Sequence, residues 1–251
     1  MAGVEGRVAL VTGAGRGIGR ATAELLAARG ARVLGVARTE RELAAVGLAY
    51  AVADLGTPEG CATAVAETER RLGPIEILVC NHGIGSAHER VIWEQDPGIW
   101  SETLRINLDG PFHLSRLVVR GMVERRYGRV VYTSSTAGQV AEQAGSAYTS
   151  SKHGLLGLMR SVALDAGAYG VTSNAVLPGW VRTDMSERSA RAEADLRGIP
   201  TEQVWAEREA LYPPGRVATP REVAETIAFL ASEESSGVSG QAVAVALGGM
   251  W

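Results

Sequence analysis

The chain has 251 residues, of which 46% are hydrophobic and 21% are charged, and its formal net charge is −3. This composition is typical of a soluble globular protein, and the scattered basic residues do not form the clustered positive face that a nucleic-acid partner requires. The sequence has no run of 18 apolar residues, no signal-peptide pattern and, at Cys61 and Cys80, neither a disulfide framework nor metal-ligand spacing, so we expect a cytoplasmic protein without a membrane partner or a bound metal.

Short apolar segments alternate with longer amphipathic segments along the whole chain. The predicted strands are Arg7–Thr12, Arg32–Ala37, Ala49–Ala53, Ile75–Cys80, Arg129–Ser134, Val171–Leu177 and Gln241–Ala246. The predicted helices are Gly17–Arg29, Glu40–Ala45, Thr57–Leu72, Pro97–Arg126, Ser146–Tyr169 and Pro220–Ala231. This alternation indicates βαβ units and an α/β fold: a single Rossmann-type doubly wound domain over residues 1–251, with a seven-stranded parallel sheet and helices on both faces.

The segment Arg182–Arg216 does not follow this alternation. It is rich in charged residues and contains Pro200, Pro213 and Pro214. A segment of this length inside a compact domain is usually a lid or a binding loop. We therefore predict a partly helical substrate-binding lid over residues 182–216, with a plain surface excursion as the alternative.

Glycines follow the first predicted strand, in the run Thr12-Gly13-Ala14-Gly15-Arg16-Gly17-Ile18-Gly19, and a helix follows at once. Glycines let the backbone turn tightly and approach a pyrophosphate, while the helix N-terminus offers free N–H groups and the positive end of its dipole. The order strand, glycines, helix is the one that dinucleotide binding requires. The run therefore predicts a dinucleotide site, although its glycine spacing differs from the standard G-x-G-x-x-G.

The second predicted strand ends in Val36-Ala37-Arg38-Thr39, where an NAD enzyme usually carries an acid for the ribose 2′-hydroxyl. Arg38 is instead placed to pair with a 2′-phosphate, and Arg16 in the glycine turn lies on the same side. The pattern favours NADP(H). In the alternative, Arg38 is solvated and Glu40 takes the acidic role. Asp54, after the third strand, is placed to contact the adenine or to cap the helix that starts near Thr57.

The chain has one lysine and 24 arginines, and the lysine, Lys152, lies four residues after Tyr148. Residues four apart face the same way on a helix, so the phenol and the ammonium should lie side by side. Arginine is not equivalent here because its guanidinium is broad and planar, whereas lysine carries a compact charge on a slender stem. The ammonium is expected to lower the pKa of the phenol, which is ordinarily near 10 and too high for proton transfer at neutral pH.

Two further polar residues complete the pattern: Ser135 lies 13 residues before Tyr148, and Asn107 lies inside a predicted helix. With the glycine turn, they resemble the motifs of the short-chain dehydrogenase/reductase family, compact branch, over nearly the whole chain. The matching segments are Thr12–Gly19, Asn81–Gly83, Asn107, Ser135, Tyr148 with Lys152, and Pro178–Thr183. Residues 151–154 and 178–185 are most similar to the 3-oxoacyl-(acyl carrier protein) reductases and the polyketide ketoreductases.

The resemblance implies four catalytic residues. Tyr148 would be the general acid in ketone reduction and the base in alcohol oxidation. Lys152 would also reach the nicotinamide-ribose hydroxyls, and Ser135 would donate to the substrate oxygen as charge develops on it. Asn107 would hold a water that links Lys152 to solvent. Read individually, Ser135 is a strand-end cap and Asn107 a satisfied polar residue.

The resemblance also extends the cofactor site, in which the backbone of Val181 would pair with the nicotinamide carboxamide and Thr183 would contact the carboxamide or the diphosphate. The complete predicted cofactor site comprises Gly13, Arg16, Gly17, Ile18, Gly19, Arg38, Asp54, Leu55, Asn81, Gly83, Tyr148, Lys152, Pro178, Gly179, Val181 and Thr183. Related proteins are tetramers with the C-terminus at a subunit interface, which implies a homotetramer with Trp251 as an anchor.

One position departs from the family pattern, which reads Asn-Asn-Ala-Gly where this chain has Cys80-Asn81-His82-Gly83. His82 either contacts the nicotinamide ribose or fills a gap left by smaller neighbours, and packing is the favoured interpretation. The substrate pocket is expected to be apolar and lined from residues 86–93, 136–143 and 182–216, with aromatic and thioether side chains from Trp180, Met185, Trp205 and Tyr212. Arg182, Arg188 and Arg191 either steer an acyl-carrier phosphate or form a solvated face.

The motifs are compatible with three functions. The leading prediction is an NADP(H)-dependent oxidoreductase that interconverts a ketone, possibly an acyl thioester, and a secondary alcohol. The second is an NAD(H)-dependent alcohol or 3-hydroxyacid dehydrogenase working in the oxidative direction. A non-catalytic dinucleotide sensor is the remote third, because a sensor has no use for Ser135, Tyr148 and Lys152 together.

Overall fold

The computed structural model of the protein describes residues 3–86 and 89–249, and within them seven strands form one sheet. The strands are β1 (Val8–Thr12), β2 (Arg32–Ala37), β3 (Ala49–Val52), β4 (Ile77–Cys80), β5 (Gly128–Thr133), β6 (Val171–Pro178) and β7 (Ala242–Val245). Their order is β3-β2-β1-β4-β5-β6-β7, and every pairing is parallel. The predicted seven-stranded doubly wound sheet is confirmed.

Helices cover both faces of the sheet. They are α1 (Gly17–Ala28), α2 (Glu40–Ala44), α3 (Pro58–Leu72), α4 (Pro97–Leu104), α5 (Gly110–Arg125), α6 (Ser146–Ala166), α7 (Asp184–Arg197), α8 (Thr201–Ala210) and α9 (Pro220–Leu230). Successive residues of β1 divide between the two layers: Leu10 joins the core of α3, α5 and α6, while Ala9 and Val11 join the core of α1 and α9. Burial on both faces explains why these strands read as continuous apolar runs.

The helix predicted over Pro97–Arg126 is interrupted. A π-helical turn, Arg105–Asp109, joins α4 to α5, and the Gly110 N–H bonds to the Arg105 carbonyl five residues earlier. Pro111 accounts for part of this, because it has no N–H to donate to the Asn107 carbonyl four residues before it. The turn places Asn107 on the inner side of the helix, where it is 1% exposed.

The predicted lid segment, 182–216, contains α7 and α8 joined at Gly198, whose φ of 64° ends α7. Thr183 and Ser186 form a capping box at the start of α7. A parallel bridge between Val181 and Ala218 brings the two ends of the segment together. Among the described residues, no helix has the length and apolar character needed to cross a membrane.

Candidate active site

The candidate site lies at the carboxyl edge of the sheet, where β1, β4, β5 and β6 are neighbours. The loops after these strands carry the glycine turn, Asn81 to Gly83, Ser135, and the segment from Pro178 to Thr183. Because parallel strands end at the same edge, residues far apart in sequence meet there. Tyr148 and Lys152 reach this edge from α6, and Asn107 reaches it from the π-helical turn.

The glycine turn has the shape that a pyrophosphate requires. Gly13 and Gly17 have φ of 64° and 55°, a region that favours glycine. A Cβ at Gly19 would overlap the Gly13 carbonyl oxygen and lie 2.5 Å from Asn81 Nδ2. Arg16, at the N-cap position of α1, has extended backbone and its side chain makes no capping hydrogen bond, so it does not occupy the first-turn N–H groups of the helix. These features fit a dinucleotide phosphate cradle.

Thr12 ties the end of β1 to the end of β4. Its hydroxyl donates to the Val79 carbonyl at 3.0 Å and accepts from the Asn81 N–H at 2.8 Å, while Asn81 Nδ2 donates to the Thr12 carbonyl at 3.2 Å. These bonds fix the position of Asn81 beside the glycine turn. Asn81 therefore acts on the turn through Thr12 and through its contact with Gly13.

His82 is packed inward next to a glycine of α5. Its Nδ1 lies 2.9 Å from Thr12 Oγ1, and a Cβ at Gly110 would lie 2.7 Å from its Nε2. Burial, helped by the charge of Lys152, lowers the pKa of His82 to about 3, so the imidazole is neutral. The geometry agrees with the packing interpretation, since Gly110 supplies the space that the imidazole fills.

The end of β2 carries an arginine that is available for a ligand. Arg38 is exposed, and across the described part of the chain it makes no ion pair. Arg16 is instead 3.1 Å from Glu42 of α2. Glu40, the alternative acid, accepts from the Tyr50 hydroxyl at 3.2 Å and so bonds across to β3.

Asp54 does not cap α3. Thr57 fills that role by accepting from the Gly60 N–H at 3.0 Å. The carboxylate of Asp54 instead accepts from the Gly56 N–H at 3.0 Å and from Arg105 at 3.4 Å, and these contacts hold the pKa of Asp54 below its usual range. Asp54 is thus fixed at the carboxyl edge of the sheet, directly after β3. The side chain of the adjacent Leu55 is buried in the core, and its carbonyl accepts from the Cys61 thiol at 3.3 Å.

Tyr148 and Lys152 lie one turn apart on α6. Lys152 Nζ is 5.6 Å from the centroid of the Tyr148 ring and donates to the Thr133 carbonyl at 3.0 Å. Burial raises the pKa of Tyr148 to about 12 and lowers the pKa of Lys152 to about 8. The expected lowering of the phenol's pKa by the ammonium is not found: the hydrogen bond with Ser135 lowers the pKa of Tyr148, and burial outweighs it. At neutral pH the phenol is protonated and the ammonium is mostly charged.

Ser135 and Asn107 adjoin this pair. Ser135 Oγ accepts from the Ala137 N–H at 3.1 Å, which caps a short turn, and its hydrogen bond with Tyr148 opposes the rise in the phenol's pKa. The Asn107 amide is fully engaged, accepting from the Ile84 N–H at 2.8 Å and donating to the Ile84 carbonyl at 3.0 Å and to Ser151 Oγ at 3.1 Å. Pro111, at the start of α5, has no N–H to donate to the Asn107 main-chain carbonyl four residues before it.

Gly83 is held between Asn107 and Lys152, because a Cβ there would lie 3.0 Å from Asn107 Oδ1 and 3.7 Å from Lys152 Nζ. On the other side of the cradle, the methyl of Thr183 would lie 3.2 Å from a Cβ at Gly17. The start of α7 therefore closes on the glycine turn. Gly179 is equally confined, since its N–H donates to the Val245 carbonyl at 3.3 Å.

Segment 182–216 contains a buried arginine that sequence reasoning missed. Arg208 is 5% exposed, lies 3.6 Å from the centroid of Trp180, and donates to Glu193 at 2.9 Å. Trp205 and Tyr212, expected to line the pocket, are instead buried in a small core that segment 182–216 forms with Val217 and Ala246, and the Tyr212 hydroxyl accepts from the Trp180 N–H at 2.7 Å. No sequence pattern distinguishes Arg208 from the exposed arginines.

Arg182 pairs with Glu187 and Glu209 and stacks 4.0 Å from the centroid of Trp205. Met185 lies over the loop after β4, with Sδ 3.4 Å from a Cβ placed at Gly85. Trp251 lies outside the described residues, so its predicted interface role has no structural account. Across residues 3–86 and 89–249, no three His, Cys, Asp or Glu side chains are arranged to hold a metal ion.

Comparison with known proteins gives consistent matches over nearly the whole chain. A family model described as enoyl-(acyl carrier protein) reductase matches residues 13–250. The chain is 35% identical over 256 residues to the 3-oxoacyl-[acyl-carrier-protein] reductase FabG of Escherichia coli strain K12, and the match covers 98% of each chain.

Two solved structures have the same fold. A crystal structure of levodione reductase matches with a TM-score of 0.93 and 31% identity, over 97% of each chain. A crystal structure of the actinorhodin polyketide ketoreductase with NADPH matches with a TM-score of 0.89 and 32% identity, over 96% of each chain.

Proposed function

Because the chain belongs to the short-chain dehydrogenase/reductase family and is an oxidoreductase that interconverts ketones and alcohols, we propose that it is an NADP(H)-dependent ketoreductase with Tyr148 as general acid and base. One observation carries the proposal: the phenol of Tyr148, the ammonium of Lys152 and the hydroxyl of Ser135 converge at the edge that also holds the glycine turn. Carbonyl reduction needs a proton donor and an oxyanion donor beside one dinucleotide.

The preference for NADP(H) is supported by Arg38. Its guanidinium is exposed at the end of β2 and, within the described residues, has no carboxylate partner to compete with a 2′-phosphate. Charge-assisted, bidentate contacts make arginine well suited to a phosphate. The relatives agree, since one similar structure is a ketoreductase with NADPH.

One observation favours the alternative of an NAD(H)-dependent dehydrogenase. Glu42 pairs with Arg16 at 3.1 Å and so neutralises the second of the two predicted phosphate ligands. A carboxylate beside the site also repels a 2′-phosphate. The cofactor preference therefore depends on whether the attraction of Arg38 for a 2′-phosphate exceeds the repulsion by Glu42.

The chain's own groups account for the proton in the proposed reaction. When bound, the nicotinamide supplies or accepts the hydride. Tyr148 donates its phenolic proton to the carbonyl oxygen, and Ser135 donates a hydrogen bond to the same oxygen as negative charge develops. Burial keeps the pKa of Tyr148 at about 12, so the phenol is in the donor form at neutral pH. Lys152, one turn away, stabilises the phenolate that remains.

The remaining cofactor contacts follow from the cradle. Gly13, Gly17 and the start of α1 would hold the pyrophosphate, Lys152 the ribose hydroxyls, and the segment from Val181 to Thr183 the carboxamide. The substrate would be a small ketone, possibly a 3-oxoacyl thioester, beneath a lid of residues 182–216. We further propose that the protein is a single domain and assembles as a cytoplasmic homotetramer. It is proposed to bind neither nucleic acid nor membrane.

The test is absorbance at the reduced-nicotinamide band, with NADPH and NADH in parallel, against a panel of ketones that includes a 3-oxoacyl thioester. We expect NADPH to be oxidised in preference to NADH. Preference for NADH would contradict the proposal that Arg38 binds a 2′-phosphate and would favour the oxidative dehydrogenase. Tight NADPH binding with no turnover of any ketone would count against the proposed activity.

A further inference from the structure

The helix that carries Tyr148 begins on a carboxylate from a distant part of the chain. Gly145 precedes α6 and has no side chain to cap it. The Ala147 and Tyr148 N–H groups instead donate to the two carboxylate oxygens of Glu89, each at 2.8 Å. Glu89 belongs to the segment after β4 and is only 5% exposed. It therefore caps α6 from 58 residues away in the sequence.

Both bonds are of a strong type. A carboxylate that accepts backbone N–H bonds at a helix N-terminus gains from the charge assistance and from the positive end of the helix dipole. Burial raises the pKa of Glu89 and the two N–H bonds oppose that rise. A buried acid is costly unless such partners are present, so the carboxylate has a fixed position and orientation relative to Tyr148.

Asn107 holds the segment after β4 near its start, at Ile84. The Asn107 amide binds both backbone groups of Ile84 and also Ser151 of α6. The segment that starts at Ile84 and the helix that carries Tyr148 are therefore joined twice, through Asn107 and through Glu89. A shift of either bond would move the phenol relative to Ser135, which lies after β5 and outside α6.

The charge of Glu89 also faces the phenol. The titratable groups around Tyr148 are Glu89 from the segment after β4, Glu142 from the loop before α6, and Lys152 one turn along α6. Burial is the main cause of the raised pKa of Tyr148, and the charges of Glu142 and Glu89 raise it further. Removal of the Glu89 charge therefore favours the phenolate.

We propose that Glu89 is a positioning residue for the reaction, which fixes the start of α6 and the charge environment of the Tyr148 phenol. The inference rests on the proposed function, in which Tyr148 transfers the proton. In this role Glu89 acts through the two N–H groups that it binds. Its nearest counterpart elsewhere is Asp96, which accepts from the Gly98 N–H at 2.6 Å at the start of α4.

The experiment compares Glu89→Gln with Asp96→Asn, in which a carboxylate that caps α4 rather than α6 is lost. Three quantities are measured: kcat and KM for the best ketone, the pH profile of oxidation of its alcohol, and hydrogen exchange of the peptide 146–152. A small misplacement of a catalytic group is costly, so we expect Glu89→Gln to lower kcat roughly tenfold with little change in the NADPH Kd.

We also expect the acidic limb of the oxidation profile to move to lower pH in Glu89→Gln, because the phenol loses a negative neighbour. Exchange at 146–152 should be faster in Glu89→Gln only. An unchanged pH profile, with kcat and thermal stability altered no more than in Asp96→Asn, would overturn the positioning role. Unchanged exchange at 146–152 would overturn the capping geometry. Turnover by the unsubstituted protein tests the proposed function separately.

Discussion

The glycine turn makes a prediction that depends only on steric contacts. Gly19→Ala adds a Cβ that overlaps the Gly13 carbonyl oxygen and lies 2.5 Å from Asn81 Nδ2. Alanine gains about 1 kcal/mol over glycine in a helix interior, whereas overpacking against a fixed backbone costs about 1–3 kcal/mol. We expect a net loss of up to about 2 kcal/mol, equivalent to a fall in Tm of up to about 8 °C for a chain of this size.

The same substitution should affect ligand binding more than stability. The Gly13 carbonyl and Asn81 form the floor of the cradle, so a shift of either closes the space for a pyrophosphate. Titration of NADPH fluorescence should give a Kd for Gly19→Ala at least roughly tenfold higher, since a lost charged hydrogen bond costs about 1.5–3 kcal/mol.

Gly237→Ala is the matched control. Gly237 is exposed, has no positive φ, and no heavy atom would lie within 4 Å of its added Cβ. Alanine there should stabilise by about 0.4–1 kcal/mol, through the unfolded chain, and leave the NADPH Kd unchanged. The steric reasoning is refuted if Gly19→Ala unfolds and binds NADPH as Gly237→Ala does.

Three further predictions concern single side chains. Tyr148→Phe should lower kcat by roughly 100-fold or more in the NADPH absorbance assay with the NADPH Kd nearly unchanged, and near-normal turnover would contradict the proposed proton transfer. Arg38→Ala should raise the NADPH Kd roughly tenfold or more and spare NADH, whereas Glu42→Gln should lower the ratio of the NADPH Kd to the NADH Kd by freeing Arg16; equal effects on both cofactors would exclude a 2′-phosphate site. Hydrogen bonds from Arg216 and Thr219 lower the pKa of Glu222 to about 2. Glu222→Gln should therefore destabilise the protein by about 0.5–1 kcal/mol at pH 7. Urea unfolding should show this difference in the free energy of unfolding shrinking as the pH falls from the usual pKa of a glutamate towards 2.

The sequence was sufficient for features that follow from local pattern. Alternating apolar and amphipathic segments predicted the sheet, and the spacing of Tyr148 and Lys152 predicted two neighbours on one helix. The glycine turn was also predictable, because glycines between a strand and a helix indicate a tight turn. The positive φ values and close contacts of these glycines agree with that pattern. In each case the partners are close in sequence or the pattern repeats along the chain.

Features that depend on distant partners were not predictable. Glu89 acquires its role only because the fold brings it to the start of α6, and Arg208 is buried only because Trp180 and Glu193 surround it. Asp54 was left between two roles because its partner, Arg105, lies 51 residues away. The break at Arg105–Asp109 had a local signal in Pro111, but the length of the apolar pattern obscured it.

The single lysine of the chain illustrates how local identity and tertiary setting combine. Lys152 is 5% exposed, with Nζ 3.0 Å from the Thr133 carbonyl and 3.7 Å from where a Cβ at Gly83 would lie. A guanidinium is broader and needs several acceptors in one plane, which this narrow space does not offer. Burial also lowers the pKa of Lys152 to about 8, a response that arginine cannot make because its charge is effectively permanent. The bias of the chain towards arginine therefore stops at the one position where a slender, titratable cation is required.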